Sequence, residues 1–352
     1  MMTSVDMLTP AMENLWDEFV ESHKFGQIYH TTAWKDILES SFNHITNKNL
    51  ILWDKDGRKI AGALPLYLVK SWLLGNRLVC IPLGTLCDPL VNSRENFQTL
   101  FNYGLNLKNK FNCKRIEFKI FESTSLIDEK LIPYSIHKHH YINLMDDLDK
   151  LSKKFKRTVR QSVRKAVEND LEVIQGKTID DLKKFYNLYL KTRKRNLVPS
   201  QPYRFFENIW KRLYPINMLT LLLVKRGELT IGGGIVIRFK NRATLEYLAS
   251  DEDFFSLRPN HLLVWNAIKN ALEEGCYVFD FGRTAPDDTG LMRFKQSWGA
   301  DVVDLIAASD SDIEKKTLDR GSLKWKMIRF AVGRSPLPLY RILNNFCYRH
   351  LG

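Results

Sequence analysis

Hydrophobic positions recur along this chain in two alternating rhythms, and the order of those rhythms is written twice. Leu50–Trp53 and Ile60–Val69 are apolar runs that flank a polar turn at Asp56-Gly57, which predicts a β-hairpin. About 165 residues later, Leu219–Val224 and Thr230–Phe239 flank Lys225-Arg226-Gly227 in the same way. In both copies the turn glycine stands five residues before a second glycine, Gly62 and Gly232. The echo extends to Cys113-Lys-Arg-Ile-Glu117-Phe118 and Cys276-Tyr-Val-Phe-Asp280-Phe281, where cysteine, acid and aromatic keep one spacing. A duplicated module of mixed α and β structure follows from this repetition.

Around the repeats, periodicity near 3.6 predicts helices over 11–22, from a Thr31 or Thr32 cap through Phe42, and over 94–111. Strands are expected at 77–82, 115–121 and 139–145, completing a first module. A linker helix spans 151–169, with Phe155, Val159, Val163 and Ala166 on one face and Arg157, Arg160 and Arg164 gathered on another. The second module continues with helices at 179–194, 203–213 and 260–274 and strands at 219–224, 230–239, 243–250 and 277–281. The boundaries read as 1–148 for the first domain, 149–310 for the second and 311–352 for a tail. The fold class is therefore α/β (α+β), each domain a mixed, mostly antiparallel sheet flanked by helices.

Charge sharpens this picture. The net charge of +13 is concentrated in two places: Lys150 to Lys165 holds eight Lys or Arg and no acid, and nothing after Asp319 is a carboxylate residue. Both segments suit an anionic partner bearing phosphate. In the tail, Trp325, Met327, Phe330, Leu337, Ile342 and Phe346 alternate with Arg329, Arg334, Arg341 and Arg349, which reads either as a helix pair on an anionic membrane surface or as a segment docked on the first module. The five scattered cysteines form no disulfide framework and no zinc spacing, and His137, His139 and His140 crowd one strand without an acid or cysteine, so no metal is expected. No apolar run reaches transmembrane length and the start lacks a secretion pattern, which predicts a cytoplasmic protein.

The densest chemistry lies in Phe279-Asp280-Phe281-Gly282-Arg283-Thr284 and Arg293-Phe294-Lys295-Gln296-Ser297-Trp298-Gly299. Amide formation needs a group to accept the amine's proton and a positive group facing the oxygen that becomes an oxyanion. Lys295 suits the second need. Asp280, alternating with two phenylalanines, is a candidate base whose pKa burial would raise, or else a structural partner of Arg283 or Arg293. Arg160 and Arg164 are candidate phosphate ligands, and Asp88 a candidate amine or hydroxyl ligand or a turn cap. Gly232-Gly-Gly234 lies within a strand and lacks the Lys-Ser/Thr of a phosphate loop.

In order along residues 25–308, the set Tyr29-His-x-x-Ala-Trp34, Gly62-Ala-Leu-Pro-Leu66, Val163-Arg-Lys-Ala166, Phe205-Phe206, Arg258-Pro-Asn260, Phe279-Asp-Phe-Gly-Arg283 and Phe294-Lys-x-x-Trp-Gly299 resembles the FemAB-like transferases, particularly the branch associated with exopolysaccharide and exosortase clusters. The resemblance implies tandem acyltransferase domains of the GNAT type that move an acyl or aminoacyl group onto an amine of a cell-envelope glycan precursor, related to exopolysaccharide or peptidoglycan. It implies Phe294 and Lys295 at the acyl carbonyl, arginine from 160–164 on substrate phosphate, and binding roles for Arg283, Arg293, Trp34, Lys35, Asp88 and Asn260. No permanently bound cofactor is implied; the donor is aminoacyl-tRNA or acyl-CoA, although no Gln/Arg-x-x-Gly-x-Gly/Ala signature for coenzyme A occurs. Expected partners are a lipid-linked precursor, charged tRNA and an anionic membrane at the inner face of the cell membrane, with no DNA. The other reading is a non-catalytic GNAT-like scaffold or RNA-binding protein of polysaccharide synthesis.

Overall fold

The computed structural model describes residues 4–127, 131–144, 147–312 and 323–350; the side chains of 323–326 and 328 lie outside it. The chain divides into two compact units, the first made of Met1–His137, Asp304–Ser322 and Asn345–Gly352, the second of Lys138–Val303 and Leu323–Asn344.

Unit 1 opens with β1 (Val5–Met7), α1 (Glu13–Ser22) and α2 (Thr32–Ser41), the last capped by the Thr31 side chain as its sequence predicts. There follow β2 (Ile45–Asn47), β3 (Leu50–Trp53), β4 (Ile60–Leu64), β5 (Tyr67–Val69), β6 (Arg77–Val79), β7 (Leu90–Val91), α3 (Arg94–Lys110) and β8 (Ile116–Ile120). The expected hairpin forms, with Gly57 in the left-handed region at φ +68°, but its second strand is two strands. Pro65 carries no N–H for a ladder, and the chain changes sheets there. β4 joins the sheet β1-β3-β4-β7, whereas β5 pairs with β2 and β6. β6 lies parallel to β8, and β8 is paired on its other side by residues 306–309.

Unit 2 contains β9 (Ile132–Asn143) from Lys138 onward, α4 (Leu148–Lys154), α5 (Arg157–Glu168), β10 (Leu171–Gly176), α6 (Ile179–Arg195), α7 (Tyr203–Leu213), β11 (Leu219–Arg226), β12 (Leu229–Phe239), β13 (Arg242–Ser250), α8 (Pro259–Glu273), β14 (Val278–Thr284), α9 (Thr289–Ser297) and the start of β15 (Asp301–Ser309). Its sheet runs β10-β11-β12-β13-β14-β9, antiparallel except for β13 and β14. The chain ends in α10 (Leu323–Arg334) and α11 (Leu337–Tyr348).

Three expectations are corrected. The linker helix is two helices, broken at Phe155 and Lys156, because Phe155 turns into the core and both residues leave helical backbone. The final strand expected of the first module, 139–145, pairs instead with β14 of unit 2 (Met145 lies outside the described residues), and β15, assigned by sequence to the second module, pairs with β8 of unit 1. The unit boundaries therefore fall at 137/138 and 303/304 and not at 148/149 and 310/311, and the tail after 322 is shared between the two units.

Gly232-Gly-Gly234 lies in a crowded part of the unit 2 sheet. A Cβ on Gly233 would stand 3.0 Å from Phe185, and one on Gly234 3.0 Å from Leu263 and 3.1 Å from the Tyr247 carbonyl. Two helices thus pack against bare backbone, within a core that includes Phe155, Leu263, Ile268, Phe279 and Trp298. Gly234→Val is expected to lower unfolding free energy by about 1–3 kcal/mol, since the Tyr247 carbonyl belongs to the ladder and cannot move aside. Denaturant unfolding measures this, and an unchanged midpoint would contradict the packing described.

Candidate active site

β13 and β14 are the centre of the site because their pairing stops early. Arg242–Thr244 lie beside Val278–Asp280 in parallel register, but no ladder joins the strands beyond, although β13 runs on to Ser250 and β14 to Thr284. The facing edges from Leu245 and from Phe281 onward therefore have no partner in each other. Parallel strands that separate towards their carboxyl ends leave room and unpaired backbone for a ligand.

The junction is held by a buried acid. Asp280 Oδ2 accepts from Arg242 Nη1 at 2.8 Å and lies 3.2 Å from His139 Nε2, while Oδ1 accepts from the Gly282 N–H at 2.6 Å. Burial alone would raise the Asp280 pKa, but the charges and hydrogen bonds of His139 and Arg242 and the Gly282 N–H hold it at about 2. This corrects its reading as a base: a carboxylate so held has no tendency to take up a proton near neutrality. Its partners are Arg242 and His139, neither of the arginines expected.

Beyond Asp280 the register with β9 shifts, and Gly282 adopts φ +68°. Helix α9, missed in the sequence because its first turn follows a polar loop, starts at an Asp288 cap and returns Lys295 to this bend. Lys295 Nζ donates to the carbonyls of Gly282 at 3.0 Å and Arg283 at 3.1 Å and is 5% exposed. Burial lowers its pKa to about 8, against the opposing attraction of Asp280, Asp288 and Glu246. An ammonium has three N–H donors, so two carbonyl bonds leave one. Beside it, His140 Nδ1 lies 3.4 Å from Thr284 Oγ1, and burial with the Lys295 charge depresses the His140 pKa to about 4.

Phe294 is half-buried, its ring 5.3 Å edge-to-face from His261 and 6.3 Å from Trp298. Asn260, in the first turn of α8, is half-buried, and its Oδ1 has no hydrogen-bond partner among the described residues. Arg283 and Arg293 are exposed, Arg293 bonding back to Thr289. The structure thus brings Asp280, Phe294 and Lys295 together, with Arg283 on the same strand. Arg160 and Arg164 do not act as one cluster: Arg160 Nη1 caps the end of α4 through the carbonyls of Ser152, Lys153 and Phe155, whereas Arg164 is exposed and pairs with Glu168 at 2.9 Å.

The three candidates in unit 1 have internal roles. Trp34 is fully buried, edge-to-face on Tyr29. Lys35 is buried in ion pairs with Glu13 and Asp36. Asp88 accepts from the backbone N–H groups of Phe121, Glu122 and Ser123 and from the Ser123 hydroxyl, which makes it a loop anchor and not a substrate ligand. Sequence reasoning missed Arg242, His139, Glu246 and His261. The repeat itself carried a signal for the first: Arg77 bonds Glu117 at 3.2 Å from two residues before Val79, the residue opposite Glu117, just as Arg242 precedes Thr244 opposite Asp280.

A mixed sheet opened between two parallel strands suits a GNAT-type acyltransferase fold, and residues 153–296 match the family described as acetyltransferase (GNAT) domain. Among curated proteins, the lipid II:glycine glycyltransferase of Staphylococcus haemolyticus is 25% identical over 151 residues, 41% of this chain and 35% of that enzyme. That of Staphylococcus epidermidis strain RP62A is 30% identical over 86 residues, 23% of this chain and 21% of the enzyme. The chain thus spans about a third or less of the curated relatives it matches. In fold it is similar to the crystal structure of FemX, with TM-score 0.69 and 18% identity over 93% of this chain and 100% of that one. It is also similar to a tandem GNAT protein from the clavulanic acid biosynthesis pathway, with TM-score 0.57 and 9% identity over 89% of this chain and 100% of that one. These matches support a FemAB-like tandem GNAT transferase: a GNAT domain over residues 153–296, with the fold of FemX.

The Asp280 pair predicts a pH dependence. Its pKa falls from 3.8 to about 2 on folding, so its contribution to stability is complete above the unfolded value and is lost as pH drops through about 2. Compared with Asp280→Asn, the wild type should lose about 2 kcal/mol of its advantage between pH of about 4 and 2. Parallel stability curves for the two proteins over that range would contradict the assignment.

Proposed function

We propose that this protein transfers an aminoacyl group from charged tRNA to an amine of a lipid-linked, pyrophosphate-bearing glycan precursor of the cell envelope, of the peptidoglycan or exopolysaccharide type. The observation that carries the reading is Lys295, a buried cation with one N–H left to donate, fixed on the strand segment where β13 and β14 separate. The curated relatives are lipid II:glycine glycyltransferases, and their match supports transfer of an aminoacyl group to a lipid-linked acceptor. The exposed basic face of α5, with Arg164, suits substrate phosphate.

In this mechanism the acyl ester enters the opening and its carbonyl oxygen faces Lys295. The neutral acceptor amine attacks, and the oxygen that becomes an oxyanion is met by a positive donor already held in place by two carbonyls, so little reorganisation is needed. The C–N bond forms, the C–O bond to the ribose breaks, and the proton given up by the amine leaves with the ribose hydroxyl. Asp280 holds the strand junction and does not exchange protons. Phe294 and His261 form an apolar wall beside the site, and Asn260 offers an unused acceptor for the incoming amine.

Purified protein with lipid II and radiolabelled aminoacyl-tRNA should form labelled lipid II, and Lys295→Met should lower the rate by about 10²–10³-fold, the usual effect of removing an oxyanion donor. The wild-type rate should fall as pH rises through about 8, where Lys295 loses its charge, and Lys295→Arg should remove that fall. Transfer from acetyl-CoA but not from aminoacyl-tRNA would overturn the donor assignment; full activity in Lys295→Met would overturn the mechanism.

A further inference from the structure

The two tail helices each bury one side and expose another. Tyr340 is fully buried, its hydroxyl donating to the Val198 carbonyl at 2.8 Å, and Asn344 exchanges hydrogen bonds with Ser200. Val332 is buried on α10, and Tyr348 stacks on Phe42 in unit 1. The tail is therefore docked, but its helices up to Asn344 belong to unit 2 and only the end of α11 meets unit 1, whereas one of the two sequence readings places the whole tail on the first module. Its outer side is nonetheless apolar: Met327 and Phe330 on α10 are 65% and 61% exposed, and Ile342 on α11 is 64% exposed, with Leu339 and Phe346 on the same face.

A second element of unit 1 shares this character. Trp72 is 80% exposed and Leu73 54%, in the turn after β5. The Trp72 and Phe346 rings both stand against His350, at 5.1 and 5.3 Å, and His350 is anchored by Ser71 at 3.0 Å and by Arg77 through its carbonyl at 3.2 Å. These apolar groups are thus fixed by buried neighbours and still face outward. A tryptophan and a phenylalanine held in place at the surface have no role in a core.

Charge identifies what covers them. Residues 320–352 contain seven Lys or Arg and no Asp or Glu. Arg334 lies over the Phe330 ring at 4.1 Å, Arg341 and Arg349 are exposed beside Ile342 and Phe346, and Lys70 is exposed beside Trp72. Exposed aliphatic and aromatic side chains ringed by cations and free of carboxylates match the boundary between acyl chains and anionic headgroups. Tryptophan favours that same depth. We propose that two elements are each a peripheral docking face for an anionic phospholipid bilayer: the outer side of α10 and α11 and, within unit 1, the Trp72–Leu73 turn. No helix among the described residues is long and apolar enough to cross a membrane, so the contact is interfacial. It stands independently of the transfer chemistry, because vesicle binding needs neither donor nor acceptor.

The test is co-sedimentation of the full-length chain with vesicles of phosphatidylglycerol mixed with phosphatidylcholine, and with vesicles of phosphatidylcholine alone. Binding is expected to the anionic vesicles, about tenfold or more above that to neutral ones, and to weaken with salt. Leu73→Asp with Ile342→Asp should lower it about tenfold or more, and Arg341→Ala with Arg349→Ala should weaken it on anionic vesicles alone. Because these side chains are exposed, thermal unfolding should be unchanged in every variant. A blue shift of tryptophan emission on binding, lost in Trp72→Phe, would place that ring in the interface. Equal sedimentation of wild type and the double Asp variant, or no binding to anionic vesicles, would overturn the proposal. So would a dimer in solution that Ile342→Asp dissolves, which would assign the face to a second copy of this chain.

Discussion

An arginine bonded to a buried acid across a short parallel strand pair is the constraint on which both units depend. In unit 1 Arg77 meets Glu117 across β6 and β8; in unit 2 Arg242 meets Asp280 across β13 and β14, with the same offset in register. A buried ion pair gives little net stability, but loss of one partner strands the other charge, so each pair fixes where its two strands must meet. In unit 2 this fixed junction also fixes where the strands part. Everything proposed for the site follows from that point: the bend at Gly282, the two carbonyls that it turns towards Lys295, and the cation left with one free donor.

The duplication visible in the sequence proved to be a duplication of this device as much as of strands. The turn glycines Gly57 and Gly227 both take left-handed backbone, and the acids Glu117 and Asp280 both sit at parallel junctions. The copies then diverge, since only the second returns a helix bearing Phe294 and Lys295 to its strand. The acid common to both is structural and the lysine found in one is the candidate for chemistry, which reverses the weight that burial alone would give to Asp280 as a base.

Much of the architecture was legible because period-2 and period-3.6 patterns are local. What local pattern could not convey was which sheet a strand joins. β9 and β15 are ordinary strand segments, yet each completes the sheet of the unit that sequence order assigns it away from, a choice made by long-range pairing. Pro65 was a readable warning that one expected strand would break, and its missing donor sends β5 to another sheet. Phe294 and Lys295 stood out because their motif is contiguous. Arg242 and His139 were not, because they reach Asp280 from two neighbouring strands, and Trp34, Lys35 and Asp88 were overvalued because a sequence does not show that a polar or aromatic group is already satisfied inside its own unit.

The central claim is that Lys295 is a desolvated ammonium held ready for developing negative charge. Its most direct measurement is an NMR titration of lysine side chains in the isotopically labelled full-length protein, with the Lys295 resonance assigned by its loss in Lys295→Arg. The account predicts a midpoint near 8, well below the ordinary 10.5. A Lys295 resonance that titrates with the exposed lysines, near 10.5, would contradict it.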